Sequence, residues 1–251
     1  MKTIRDKRNE LVVKSNELIR NTRASLTAQE QKLIIYLVSL IEADDKELKT
    51  ITFSISDYCD VVGIKHSNEN YKYIKKSIKS ISDKSWWIND NDKDKSETLF
   101  RWLDTATISK GTGVVEIKLS SSLSKYLLQL KECFTKYNLL NVLVLKGKYS
   151  IKLYELLKSY LWIGRYKVSV EELRDIIDCK SFPKFAEFNR NVLEKSIEEI
   201  NTYTDLYITV NKIKTGRFIT DLDFIIESND GLQLTLDERI DQAIKIKERL
   251  K

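Results

Sequence analysis

Ser54-Ile55-Ser56-Asp57-Tyr58-Cys59-Asp60-Val61-Val62 and Ser169-Val170-Glu171-Glu172-Leu173-Arg174-Asp175-Ile176-Ile177 decide the fold of this chain. Each sets a serine ahead of a short run in which apolar residues recur at helical spacing, and each follows a short extended stretch. A serine in that position predicts an N-cap, its hydroxyl accepting from a backbone N–H of the first turn. The two blocks stand 115 residues apart. Further on, Lys76-Ser77-Ile78-Lys79-Ser80-Ile81 and Lys195-Ser196-Ile197-Glu198-Glu199-Ile200 stand 119 apart, and four residues of loop account for the difference. Short identities prove little, whereas a repeated order of elements points to tandem copies of one module.

Working outward, Thr27 and Glu30 make a capping box, followed by Leu33, Ile34, Leu37, Val38 and Ile41 at helical spacing. Ile51 to Ile55 reads as a strand. Ser54 or Ser56 caps a short helix over 57–62 that stops at Gly63. The next helix runs from Asn70 to about Asp83, with Tyr71, Ile74, Ile78 and Ile81 on one side and lysines on the other. A β region begins at Trp86. Leu99 to Ile108 and Val114 to Leu119 flank Lys110-Gly111-Thr112-Gly113, a hairpin signal. The second half repeats the plan. A helix over 149–163 turns Ile151, Tyr154, Leu157 and Leu161 inward, and a short helix spans 171–177. Pro183 stands just before a long helix striped by Phe185, Phe188, Val192, Ile197 and Ile200. A hairpin follows, Leu206 to Ile213 and Arg217 to Ile226 around Lys214-Thr215-Gly216. The fold class is therefore α+β, two tandem winged helix-turn-helix domains. They occupy residues 1–130 and 131–251, with the helix Ser122 to Leu130 near their border.

The 251 residues suffice for two ordinary domains. Gly 7 and Pro 1 are too few for a glycine-rich phosphate turn of the Rossmann type. Cys59, Cys133 and Cys179 are odd in number and far apart, which suits a reducing cytoplasm better than a disulfide framework. The charged opening carries no secretory signal, and no stretch approaches the roughly 20 apolar residues of a membrane span.

Chemistry has little support. His66 is the single histidine, so two-histidine metal centres are excluded. It sits in a polar loop, where exposure is a better reading than a role in a catalytic triad. Gly147-Lys148 lacks the upstream glycine of a phosphate-binding loop. Asp90-Asn91-Asp92-Lys93-Asp94 starts like a calcium loop, but Lys95 and Arg101 stand where glycine and glutamate are needed, leaving a solvated loop. Asp221 and Asp223 share a strand face and read as surface carboxylates. No catalytic residue, metal or cofactor is expected.

Binding is better supported. A DNA major groove admits one helix whose outer face is polar and basic. Lys65 to Lys84 holds six lysines against Glu69 and Asp83, a net of +4. On an isolated helix such a row is a solvated face. Placed after a capped helix and before a hairpin, it predicts phosphate contacts from Lys72, Lys75, Lys76 and Lys79, with steep salt dependence. On the second long helix Lys184, Asn189, Arg190, Asn191 and Lys195 are the candidates. Asn suits adenine and Arg suits guanine, although Asn189 and Asn191 read equally well as ordinary helix surface. Lys212, Lys214 and Arg217 on the hairpin suit backbone phosphates. Lys2, Arg5, Lys7 and Arg8 read as a frayed terminus, and Trp86, Trp87, Trp102 and Trp162 as packing between wings and helices.

Asn9-Glu10-Leu11-Val12-Val13-Lys14-Ser15-Asn16-Glu17-Leu18-Ile19, with Leu26-Thr27-Ala28-Gln29-Glu30-Gln31-Lys32-Leu33, resembles the opening of the iteron-binding plasmid replication initiators. Tyr149-Ser150-Ile151-Lys152-Leu153-Tyr154-Glu155-Leu156-Leu157-Lys158, Glu199-Ile200-Asn201-Thr202-Tyr203-Thr204-Asp205 and Lys214-Thr215-Gly216-Arg217 extend the likeness through the second half. The resemblance implies two winged-helix domains that bind directly repeated origin DNA, help open an A+T-rich segment and recruit host replication proteins, the host initiator and helicase among them. It also implies a homodimer, joined through the first domain, in equilibrium with the monomer and repressing its own gene. It implies no nicking or nucleotide hydrolysis. It sets the second recognition helix over 183–204, where relatives are commonly Arg-rich; Asn189 and Asn191 depart from that and imply a different base preference. The residues alone also leave open a dimeric winged-helix regulator at an inverted repeat. A nickase is disfavoured by the lone histidine.

Overall fold

The computed structural model describes residues 2–89 and 97–229, and its contacts divide the chain into two units. The run Asp90–Asp94 lies outside the described residues. The first unit comprises residues 1–18 and 24–140; the second comprises 19–23 and 141–251.

In the first unit, α1 (Ile4–Arg8) and β1 (Leu11–Ser15) lead into α2 (Asn16–Asn21), whose last turn passes to the second unit. The terminus is not frayed. Thr3 and Asp6 close a capping box on α1, and the Arg8 guanidinium donates to the carbonyls of Asp60 and Val61, 2.8 Å each. Helix α3 (Ala28–Ser39) forms the centre. Thr27 and Glu30 cap it as the sequence predicts, but Leu33 to Val38 are all buried, so the helix is enclosed on every side rather than one. Strand β2 (Ile51–Ser54) then enters α4 (Ile55–Val62) and α5 (Asn68–Ser82). Tyr36, Phe53 and Tyr58 meet edge-on or tilted behind them.

The stretch Leu99 to Ile108 is two strands rather than one. β3 (Ser85–Asn89) pairs with β4 (Glu97–Arg101), while β5 (Leu103–Ile108) pairs with β6 (Val114–Leu119). The break falls at Trp102, buried against Trp86. A 3-10 turn (Ser121–Leu123) and α6 (Ser124–Leu127) follow. The helix thus ends three residues short of the predicted Leu130, and the chain extends later as β7 (Phe134–Asn138), antiparallel to β1. Residue Gln129 has φ 50°, which ends any helix. Helix α7 (Leu139–Leu143) leads out of the unit.

In the second unit, α8 (Lys148–Lys158) stops five residues before the predicted end. Ser159 turns its hydroxyl back onto the Leu156 carbonyl, and Arg20 donates to both the Ser159 carbonyl (2.7 Å) and its hydroxyl (3.1 Å). Leu161 is therefore only half-buried. β8 (Arg165–Ser169), α9 (Val170–Ile176), α10 (Phe185–Phe188), a π-helical turn (Asn189–Leu193), α11 (Glu194–Tyr203), β9 (Leu206–Thr215) and β10 (Phe218–Ser228) complete it. The segment 19–23 is fixed to this unit. Arg20 lies 3.8 Å from the centre of the Tyr160 ring, Lys152 donates to the Thr22 carbonyl, and Arg23 pairs with Asp175 at 2.7 Å.

The duplication is visible in the sheets. The first unit orders its strands β2-β6-β5, the second β8-β10-β9, all antiparallel. In both, the strand before the first helix pairs with the last strand of the hairpin. Ser54 and Ser169 cap α4 and α9 alike, accepting from Asp57 and Glu172 N–H at 3.0 and 3.1 Å. Both units thus build the same scaffold, two tandem winged helices of α+β class.

The buried Glu30 carboxylate also meets Lys84 at 2.6 Å. Burial works to raise its pKa, but hydrogen bonds from Lys84, Ser80 and the Thr27 backbone outweigh it and hold the group below its ordinary 4.5. A depressed carboxylate stabilises the fold above its unfolded pKa and ceases to as pH falls through the native one. Glu30→Gln is therefore expected to be less stable than wild type at pH 7 in urea unfolding, with the gap closing below about pH 4.5. A gap independent of pH would show that the pair contributes nothing through its charge.

Candidate nucleic-acid interface

In the first unit α4 ends at Gly63, whose φ of 73° is the left-handed turn a side chain resists. The following loop is pinned at both ends. His66 Nε2 lies 2.7 Å from Asp60 Oδ1, and Asn70 donates to the Lys65 carbonyl. Ser67 then caps α5 through the N–H of Asn70. Ile74, Ile78 and Ile81 anchor the helix inward. Lys72, Lys75, Lys76 and Lys79 are all exposed, as the spacing implied. They are not equivalent. Lys79 is engaged by Asp83 at 2.8 Å, and Lys84 by Glu30. Lys72, Lys75 and Lys76 enter no ion pair among the described residues. Lys75 lines an open groove of about 700 Å³ with Ser56, His66, Tyr71, Lys110 and Thr112, between the helix starts and the β5–β6 hairpin. The hairpin is held there by the Ile55 N–H bonded to the Gly113 carbonyl.

In the second unit Pro183 lies two residues before α10, and exposed Lys184 takes the N-cap position. Arg174 ties the loop to the helix. It donates to the carbonyls of Phe182 (2.8 Å) and Pro183 (3.0 Å) and lies 4.7 Å from the Phe188 ring centre. The long helix predicted over this stretch is interrupted by the π-helical turn at Asn189–Leu193, which holds three of the candidate residues. Arg190 is exposed. Asn191 is half-buried. Asn189 donates to Glu194 Oε1 at 2.6 Å, and its own carbonyl oxygen is buried without a partner among the described residues. Of the three, Arg190 is the side chain turned to solvent with its donors available, while Lys195 is exposed one turn on. Glu194 also meets Lys212 at 3.6 Å, so one carboxylate links helix to hairpin. Lys214 and Arg217 are exposed near the hairpin tip.

Sequence reasoning missed Glu194, because nothing in its spacing says that it pairs across to a strand. It also missed Glu199, which accepts from the N–H groups of Lys146 and Gly147 ahead of α8. Asp223 is no solvated carboxylate. Arg165 holds it at 2.7 and 2.6 Å, and those hydrogen bonds keep its pKa below the usual range. Trp86 and Trp102 are buried as expected, but Trp87 and Trp162 are exposed, Trp162 almost wholly. Trp162 follows the early end of α8 and stands in the turn leading to Gly164.

Family comparison agrees with this architecture. The model of the initiator replication protein, WH1, matches residues 11–158, and that of the initiator Rep protein, WH2, matches 169–226. The chain belongs to the initiator replication protein family. The initiator is 30% identical over 240 residues to a replication initiation protein of Escherichia coli, covering 91% of this chain and 73% of that one. An uncharacterized 27.6 kDa protein of Escherichia coli is 22% identical over 191 residues, 73% of this chain and 80% of the other. Among solved structures, the initiator matches the Pi initiator protein, crystallised in complex with iteron DNA, with TM-score 0.72 and 19% identity, over 89% of this chain and 99% of that one. Domains 2 and 3 of RctB match with TM-score 0.51 and 12% identity, over 80% and 82%. At those identities the likeness is one of fold. No described helix of the initiator is long and apolar enough to cross a membrane.

Proposed function

We propose that this initiator starts plasmid replication by binding directly repeated origin DNA sequence-specifically, one recognition helix from each unit in a major groove. The observation that carries the reading is the repeated scaffold. Each unit sets a serine-capped helix before a further helical stretch that exposes basic side chains, a lysine row in the first and Arg190 and Lys195 in the second, and closes on a hairpin in the same strand order. In the first unit Lys72, Lys75 and Lys76 supply phosphate contacts. In the second Arg190 reads a base edge, Lys184 and Lys195 flank it, and Lys212, Lys214 and Arg217 grip the backbone. Melting of the adjacent segment, recruitment of host replication proteins, and autorepression as a dimer follow as the activities such binding serves. The Pi initiator, in its complex with iteron DNA, supports the reading through the shared fold.

The test is a footprint. Two readers in successive grooves should protect direct repeats of about 20 bp, two helical turns. Preference for an inverted repeat would instead support a dimeric regulator. On the protected site, Lys75→Ala with Lys76→Ala should flatten the dependence of log K on log salt by about one unit per lost phosphate contact, two at most. An unchanged slope would remove α5 from the interface.

A further inference from the structure

Phe218 opens β10 at the tip of the second hairpin, paired with Thr215 across the two-residue turn Gly216-Arg217. It is 77% exposed. Single exposed apolar residues are ordinary on protein surfaces; this one differs in its place. Arg217 precedes it, Lys214 stands just across the turn, and both are exposed. The tip is clear of the protein, since a Cβ built on Gly216 would meet nothing within 4 Å. It is also well held. Thr215 and Thr220 hydroxyls lie 2.9 Å apart, Thr220 donates to Asp221, and the strand pairing shifts between Ile219 and Asp221. A firmly built finger thus ends in an aromatic ring between cations. The first unit's hairpin, also clear at Gly111, ends in Lys110-Gly111-Thr112 and carries no aromatic residue.

We propose that Phe218 is a wedge. With Arg217 and Lys214 on the phosphates, the ring enters the minor groove beside the recognition helix and partly unstacks one base step, kinking the duplex. This rests on the DNA-binding reading above and deepens it. Between two phosphate rows the apolar surface open to a phenyl ring is the face of the bases, and apolar side chains inserted at a base step bend DNA toward the major groove. Flexible pyrimidine–purine steps yield most readily, so the wedge selects sequence at a position that no side chain hydrogen-bonds. The all-polar tip of the first hairpin leaves this to the second unit alone.

The full-length protein is tested on circularly permuted duplexes carrying the protected repeat, with bend angle read from gel mobility and unstacked thymines from permanganate reactivity. Phe218→Ser should lose at least half the bend and the reactive thymine, while the footprint stays in place and affinity falls by about tenfold or less. Phe218→Leu, still apolar, should keep both. The side chain is exposed, so all three proteins should melt alike. Equal bends in wild type and Phe218→Ser, or a wild-type complex without a bend, overturn the wedge and leave DNA binding standing. Absence of any footprint by wild type overturns the DNA-binding reading, and the wedge with it.

Discussion

Arg190→Ala is expected to weaken binding to the repeated site by about 1–3 kcal/mol, roughly 5- to 150-fold, and to relax discrimination at one base pair. The side chain lies on the π-helical turn, with Asn189 beside it held by Glu194. A guanidinium fork matches the O6 and N7 acceptors of guanine, and loss of a bidentate contact is felt on the correct base alone. Competition titrations against the repeat and against random duplex separate the possibilities. Random DNA should lose little more than one phosphate contact. An equal loss on both would make Arg190 a phosphate ligand, and base reading would have to come from Asn191 or from shape.

Phe224→Ala should cost the second unit about 3–5 kcal/mol, as deletion of a fully buried aromatic does. Phe224 is fully buried and pairs across the sheet with Tyr166 and Val210. Its ring is stacked 6.5 Å from that of Tyr166, which lies 4.1 Å from Tyr160, which in turn carries Arg20. Removing the first ring leaves a void under the column. Urea unfolding followed by circular dichroism measures the loss, and Phe224→Leu should cost much less, because most of the volume is kept. A loss under about 1 kcal/mol would mean that the sheet closes over the gap.

The scaffold was legible because its signals are local. Thr27 with Glu30, and Ser54 and Ser169 ahead of their helices, bind partners within three residues, and Gly216 marks a turn between neighbouring strands. What escaped is set by distant partners. Period-2 alternation over 99–108 is the same whichever strand lies beside it, so the change of partner at Trp102 leaves no trace. β7 pairs with β1 from the far end of its unit, and no local pattern announces that. The early end of α8 depends on Arg20, far upstream. In the candidate site, exposure of the lysines on α5 followed from 3.6-residue spacing. The partner of Lys79, Asp83, is equally local, whereas Lys84, just past the helix, answers to a glutamate on α3 that no nearby spacing announces. The π-helical turn adds a residue to one turn of helix, and composition does not encode it.

Residues 19–23 give the polypeptide an interlaced course: it leaves the first unit, returns, and leaves again after Leu140. No single cut in the chain therefore separates the two units. A fragment beginning at Asn141 discards the guanidinium that lies on Tyr160 and finishes α8, and a fragment ending at Leu140 carries five residues whose partners are gone. A graft of the second winged helix onto another partner has to carry residues 19–23 with it to stay whole.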